Sequence, residues 1–151
     1  MLRLIPDTNI FIGGVEDTKN YNTLDFRDIK VTLCVIDDRE GATHPGISYL
    51  KIGLADPQDD LAPNNPIPEA VEILGIASRL ALRRAGNVLV FCADGDNRAA
   101  LVAAIWLTWE RNITLKEAVK ITEVKENKPW MKAFGLNWED EEVTEENKEK
   151  E

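Results

Sequence analysis

Residues 87–109, NVLVFCADGDNRAALVAAIWLTW, decide how this chain is read. Asn87 to Phe91 is an apolar run with strand composition, and Ala99 to Trp109 is apolar nearly all round, as a central helix is. Between them lies the polar stretch Cys92-Ala93-Asp94-Gly95-Asp96-Asn97-Arg98. The order strand, loop, helix is that of an open α/β sheet, which binds ligands at the carboxyl ends of its strands. A loop that closes onto a helix N-terminus aims several backbone N–H groups at one spot, and the helix dipole adds positive charge there. Such a loop holds an anion.

The residue types give that anion a chemistry. Cys92 supplies a thiol in a field that favours thiolate, the nucleophilic form of reactive cysteines. Arg98, six residues on, supplies a planar fork that matches two phosphate oxygens. The expected phosphate cradle is Ala93, Asp94, Gly95, Asp96, Asn97 and Arg98. With two cysteines and eight arginines in 151 residues, an Arg six after a Cys arises by chance about one time in ten. Requiring Gly three after the Cys brings this below about one per cent. A buried Cys ending a strand beside an Arg that caps a helix is the blander alternative.

Outward from the loop, Asn9 to Val15 reads as a strand, Thr18 to Asp28 as an irregular helix and Lys30 to Ile36 as a second core strand. Asp37 to Pro45 is loop, Ser48 to Leu54 a third strand, and Ala55 to Pro66 a loop rich in Pro, Asp and Asn. From Pro68 the positions Val71, Ile73, Leu74, Ile76, Ala77, Leu80 and Leu82 have helical spacing, and Gly86 lies past the end. Thr114 with Glu117 three residues on has the form of a capping box for a last helix. The expected fold is one α/β domain, a short and largely parallel sheet of about five strands flanked by helices.

The Cys-x5-Arg loop between the last core strand and a buried helix resembles the signature of the small, atypical dual-specificity protein phosphatases. The likeness extends over roughly residues 5 to 135: NIFIGG (9–14), LDFRDIKVTLCV (24–35), ISYLKIGLAD (47–56) and Ile67 to Arg84 follow that family's order of elements. The resemblance implies phosphomonoester hydrolysis through a phosphocysteine, with no cofactor. Displacing an alkoxide or phenoxide from phosphorus needs a proton donor, and the water step needs the same group as base. Asp56, in Leu54-Ala55-Asp56-Pro57-Gln58, stands where the family places its general acid. Asp59 and Asp60 are nearby substitutes, and an Asp before Pro also simply starts turns.

The chain departs from the family pattern at Phe91, where a histidine is usual, and at Ala99, where a Ser or Thr is usual, although some active members have Ala there. Asp94 and Asp96 add negative charge to a loop that attracts anions, oppose thiolate formation and repel polyanions. Two rival functions follow: a pseudophosphatase that binds phosphorylated partners without turnover, and an RNA 5′-triphosphatase, to which Asn97-Arg98 bears a faint likeness.

Composition bounds the rest. A chain of 151 residues with 44% hydrophobic content fits one globular domain, read as residues 1–137 with an acidic, disordered tail at 138–151. Glu139 to Glu151 has eight acidic residues against two basic ones, so the tail carries −6 of the net −9 and the rest −3. That balance disfavours nucleic acid and anionic membranes as partners, and leaves a phosphorylated protein or small phosphoester as substrate. Absence of a signal-peptide pattern and of a disulfide framework implies a reducing, cytoplasmic setting. Cys34, in VTLCVI, reads as a core residue; relatives suggest the alternative of a resolving thiol for Cys92. His44 lies in a Gly/Pro loop and no His/Cys cluster marks a metal site. The sequence carries no signal for oligomeric state.

Overall fold

A computed structural model describes residues 2–55 and 66–125. Asp56, Asp59 and Asp60, the domain boundary at 137 and the acidic tail lie outside the described residues.

The most apolar stretches became the sheet. Strands β1 (Arg3–Leu4), β2 (Ile10–Gly14), β3 (Ile29–Ile36), β4 (Ser48–Leu54) and β5 (Asn87–Cys92) form one sheet in the order β1-β2-β5-β3-β4. All neighbours are parallel except β1 and β2, which pair antiparallel. The three inner strands are buried along nearly their whole length, which is why they read as continuous apolar runs rather than as alternating ones. Strand β4, at the edge, is mostly half-buried.

The connections decide where the site lies. Strand β2 leads through a 3-10 turn (Val15–Lys19) and helix α1 (Tyr21–Phe26) to β3, and β4 leads through α2 (Ile67–Arg83) to β5. Because the four strands are parallel, Gly14, Ile36, Leu54 and Cys92 all end at one rim of the sheet. The expected irregular helix at 18–28 is therefore two pieces, split at Asn20, whose side chain caps α1 by accepting from the Thr23 N–H at 3.1 Å.

Helix α2 forms where the apolar spacing placed a helix. Its buried face is Ile67, Ala70, Val71, Leu74, Ala77, Ser78 and Ala81, whereas Ile76, Leu80 and Leu82 point outward. Small residues win the inner face because the helix packs closely. Ser78 donates to Asn9 Oδ1 at 2.6 Å and the Asn9 amide donates to the Ser78 carbonyl at 2.9 Å, so the polar group on that face is satisfied. Helix α3 (Arg98–Arg111) is buried from Arg98 to Ala104 and at Leu107, and ends at Asn112 in the left-handed region. Helix α4 (Leu115–Thr122) starts at Thr114, whose hydroxyl accepts from the Glu117 N–H at 3.1 Å. Among the described residues no helix is long and apolar enough to cross a membrane.

Candidate active site at the loop 92–98

Strand β5 delivers Cys92 to the rim directly beside Gly14 of β2. The loop then presses on β2 so closely that side chains are excluded. A Cβ at Gly14 would sit 2.8 Å from the Ala93 carbonyl oxygen, and one at Gly95 would sit 2.8 Å from the Gly13 carbonyl. Gly95 also has φ +86°, a conformation that L side chains rarely adopt. The glycine of the motif is thus required twice over.

The loop carbonyls are tied down from outside. Ala93 O accepts from the Val15 N–H at 3.3 Å, Gly95 O from Arg3 Nη2 at 2.8 Å, and Asp96 O from the Lys125 N–H at 3.0 Å. In a trans peptide the N–H points opposite the C=O. Fixing these oxygens therefore turns the N–H groups of Asp94, Asp96 and Asn97 the other way. Helix α3 begins at Arg98 with no side-chain cap from Asn97, so its first N–H groups add to the same donor set. Asp96 N–H is not free of protein contacts: it donates to Asp94 Oδ1 at 2.9 Å.

Cys92 and Arg98 are both buried at the rim. Arg98 Nη1 donates to the Leu54 carbonyl at 2.8 Å and lies 3.6 Å from Asp37 Oδ1. Asp37 follows β3, and Gly53 of β4 leaves room for it, since a Cβ there would be 2.8 Å from the Asp37 Cα. Both described contacts of Arg98 fall on one nitrogen. Among the described residues the remaining edge of its fork has no protein partner, which suits two oxygens of a bound anion.

Phe91 occupies the far face of the sheet. Its ring is fully buried, edge-on to Tyr49 at 6.3 Å between centroids, with Gly41 of the 37–45 loop against it. Cys34 pairs in register with Phe91 and so shares that face, while strand alternation sends Cys92 to the other. Register therefore speaks against Cys34 as a resolving thiol and favours the core reading; it is fully buried, with its sulfur 3.7 Å from the Ile36 and Arg39 carbonyls. Beside it, Tyr49 donates to Glu40 at 2.5 Å and Lys51 to Glu40 at 2.7 Å. Those two bonds, Lys51 first, hold the Glu40 carboxyl below its usual range, and Glu40 raises Lys51. Burial, then the bond to Glu40, pushes the Tyr49 phenol well above its ordinary value. His44 is spent on structure, its Nε2 lying 2.6 Å from the Thr18 carbonyl.

The structure thus brings together Cys92, the loop residues Ala93 to Asn97 and Arg98. The expected acid Asp56 lies outside the described residues. Three positions that the sequence did not single out support the loop: Arg3, which also donates to the Thr122 carbonyl at 2.6 Å, Asp37 and the Lys125 backbone. The acid placed directly after the buried run 29–36 was the available signal for Asp37.

Comparison with known proteins agrees with this fold. No protein-family model matches the chain. It is similar to human dual specificity phosphatase 28, 32% identical over 96 residues that cover 62% of this chain and 51% of that protein. The mouse protein of the same name is 31% identical over 96 residues, covering 62% of this chain and 55% of its own length. The chain thus spans about half the length of the curated relatives it matches. Among solved structures, human DUSP28 superposes with a TM-score of 0.69 at 21% identity, covering 89% of both chains. DUSP15 superposes with a TM-score of 0.71 at 16% identity, covering 88% of this chain and 84% of its own. By sequence similarity and by fold, the relatives of this chain are the atypical dual-specificity phosphatases.

Proposed function

We propose that this domain hydrolyses phosphomonoesters, on protein side chains, by a two-step phosphocysteine mechanism. Cys92 Sγ attacks phosphorus as thiolate, an S–P bond forms, and the P–O bond to the leaving group breaks with a proton from Asp56. Water, deprotonated by the same carboxylate, then cleaves the S–P bond and releases phosphate. Arg98 and the loop N–H groups hold the charge on the transferring phosphoryl group, a role in which a single donor is typically worth about 10²–10³ in rate. The observation that supports this reading is the outside tethering of the Ala93, Gly95 and Asp96 carbonyls, which in trans peptides turns the following N–H groups away from the tethers within the loop that joins Cys92 to Arg98.

A second reading has its own support. Phe91 supplies no imidazole, Ala99 is fully buried and supplies no hydroxyl, and Asp94 engages a loop N–H. A domain so built binds phosphorylated partners without turning them over. An RNA 5′-triphosphatase has less in its favour, because Asp94, Asp96 and Asp37 crowd the same rim with negative charge.

One assay separates the first two. The parent protein hydrolyses p-nitrophenyl phosphate, vanadate blocks it, and Cys92→Ser abolishes turnover while still binding tungstate. Tungstate binding without release of nitrophenol by the parent assigns the domain to the pseudophosphatases. Unchanged turnover in Cys92→Ser rules out the covalent mechanism.

A further inference from the structure

The Gly95–Asp96 peptide is the most heavily engaged unit of the loop. Its carbonyl accepts from Arg3 Nη2 at 2.8 Å, and its N–H donates to Asp94 Oδ1 at 2.9 Å. A cation on the oxygen draws electron density from the amide and makes its N–H the better donor. Arg3 is itself fixed, through the Thr122 carbonyl at 2.6 Å and Glu123 at 3.5 Å, so this polarisation is built in. The donor thus strengthened is bonded to a carboxylate of the loop itself, two residues back, in the turn that Asp side chains favour.

A phosphoryl group bound in the loop wants that same N–H. Two anions then compete for one donor, and the carboxylate left nearby repels the phosphoryl oxygens. From this we infer that Asp94 is a specificity-determining residue that lowers the loop's affinity for oxyanions by occupying the Asp96 amide. The inference rests on the loop 92–98 being the anion site. Its functional consequence is weak retention of free phosphate: a ligand held by the loop alone is disfavoured relative to a phosphorylated chain with further contacts. Asp96 carries the same charge two residues on, and among the described residues no bond of its carboxylate to a loop N–H is formed. It is therefore the control for charge alone.

The test is calorimetric titration of the full chain with sodium tungstate, in the parent and in Asp94→Ala, Asp94→Asn, Asp96→Asn and Arg98→Ala. Thermal unfolding of each without tungstate verifies the fold. Asp94→Ala is expected to bind tungstate about tenfold more tightly or better, the scale of a lost charge-assisted hydrogen bond. Asp96→Asn gains threefold or less on the scale of screened surface charge, and Asp94→Asn, which keeps an oxygen but no charge, falls between. Equal gains in Asp94→Ala and Asp96→Asn reduce the effect to charge and overturn the inference, as does unchanged or weaker binding in Asp94→Ala. Should Asp94→Ala not fold, Asp94→Asn set against Asp96→Asn decides in the same way. Arg98→Ala distinguishes the two levels: binding that survives it unchanged, or fails in every variant, removes the loop as anion site and the inference with it, whereas binding lost only in Arg98→Ala leaves the site standing while Asp94 is judged.

Discussion

Ala99 has no exposure and stands at the start of α3, one residue beyond Arg98. In the proposed mechanism the thiolate leaving a phosphocysteine would find no hydroxyl donor at this position, which makes hydrolysis of the intermediate the expected limit on turnover. Ala99→Ser is expected to raise kcat on p-nitrophenyl phosphate, and the rapid burst of nitrophenol in the parent shrinks in the variant. A parent with no burst, and a variant no faster, places the limit in the first step instead. For the acid, Asp56→Asn is expected to slow hydrolysis of alkyl phosphates by the general-acid factor of about 10²–10⁴, with activated aryl esters suffering less. That pattern in Asp59→Asn or Asp60→Asn, and not in Asp56→Asn, reassigns the role. Cys92, Gly95 and Arg98 were legible in the sequence because loop chemistry is local. Arg3 was not, because its bond to Gly95 spans 92 residues and only the folded β1 brings it there.

At the scale of the elements, the segment 37–45 covers the face of the sheet opposite Cys92. Gly41 leaves its place open for the Phe91 ring: a Cβ there would lie 2.3 Å from Phe91 Cζ. Gly41→Ala is therefore expected to destabilise the domain by about 1–3 kcal/mol, an overpacking cost. In a Phe91→Leu background the same substitution costs less, and equal costs in both backgrounds, by chemical denaturation, disprove the contact. The Glu40 cluster on this face sets a pH dependence. The Tyr49 phenol is raised by burial and by Glu40, so its contribution is present below the ordinary tyrosine value and lost as pH rises through the folded one. Glu40 is lowered, so its contribution is present above the ordinary carboxyl value and lost as pH falls through the folded one. Glu40→Gln is expected to move the alkaline ultraviolet titration of Tyr49 to lower pH; an unmoved titration removes Glu40 as its partner. Strands β3 and β5 were readable because burial on both faces makes apolar runs, and the bounds of β4 matched at both ends. Strand β1 was not, since two residues carry no period. The apolar spacing at 71–82 marked helix α2 but not which of its residues pack, and Ile76, Leu80 and Leu82 lie outward.

At the scale of the molecule, parallel topology gathers the ends of β2, β3, β4 and β5 at one rim, and the chain places carboxylates there: Glu16, Asp37, Asp38, Asp94 and Asp96. If the loop is the anion site proposed above, a rim of this charge is expected to favour phosphorylated segments flanked by Lys or Arg and to steer them electrostatically. The rate constant kcat/KM for a basic-flanked phosphopeptide is expected to fall as ionic strength rises past about 0.1 M, where the screening length is about 10 Å, and that for an acid-flanked one to rise. Equal salt dependence for both contradicts a role for the rim. The sequence singled out Asp94 and Asp96 as loop acids, but with −6 of the net −9 in the tail the total charge did not announce the rim, and the placement of five acids there required the topology. The covalent step is tested most directly by acid-quenching the enzyme during turnover of a phosphoester and sequencing its peptides by mass spectrometry. The account predicts phosphate on Cys92, accumulating in the parent and diminished in Ala99→Ser. Turnover with Cys92 unmodified, or phosphate on another residue, would contradict it.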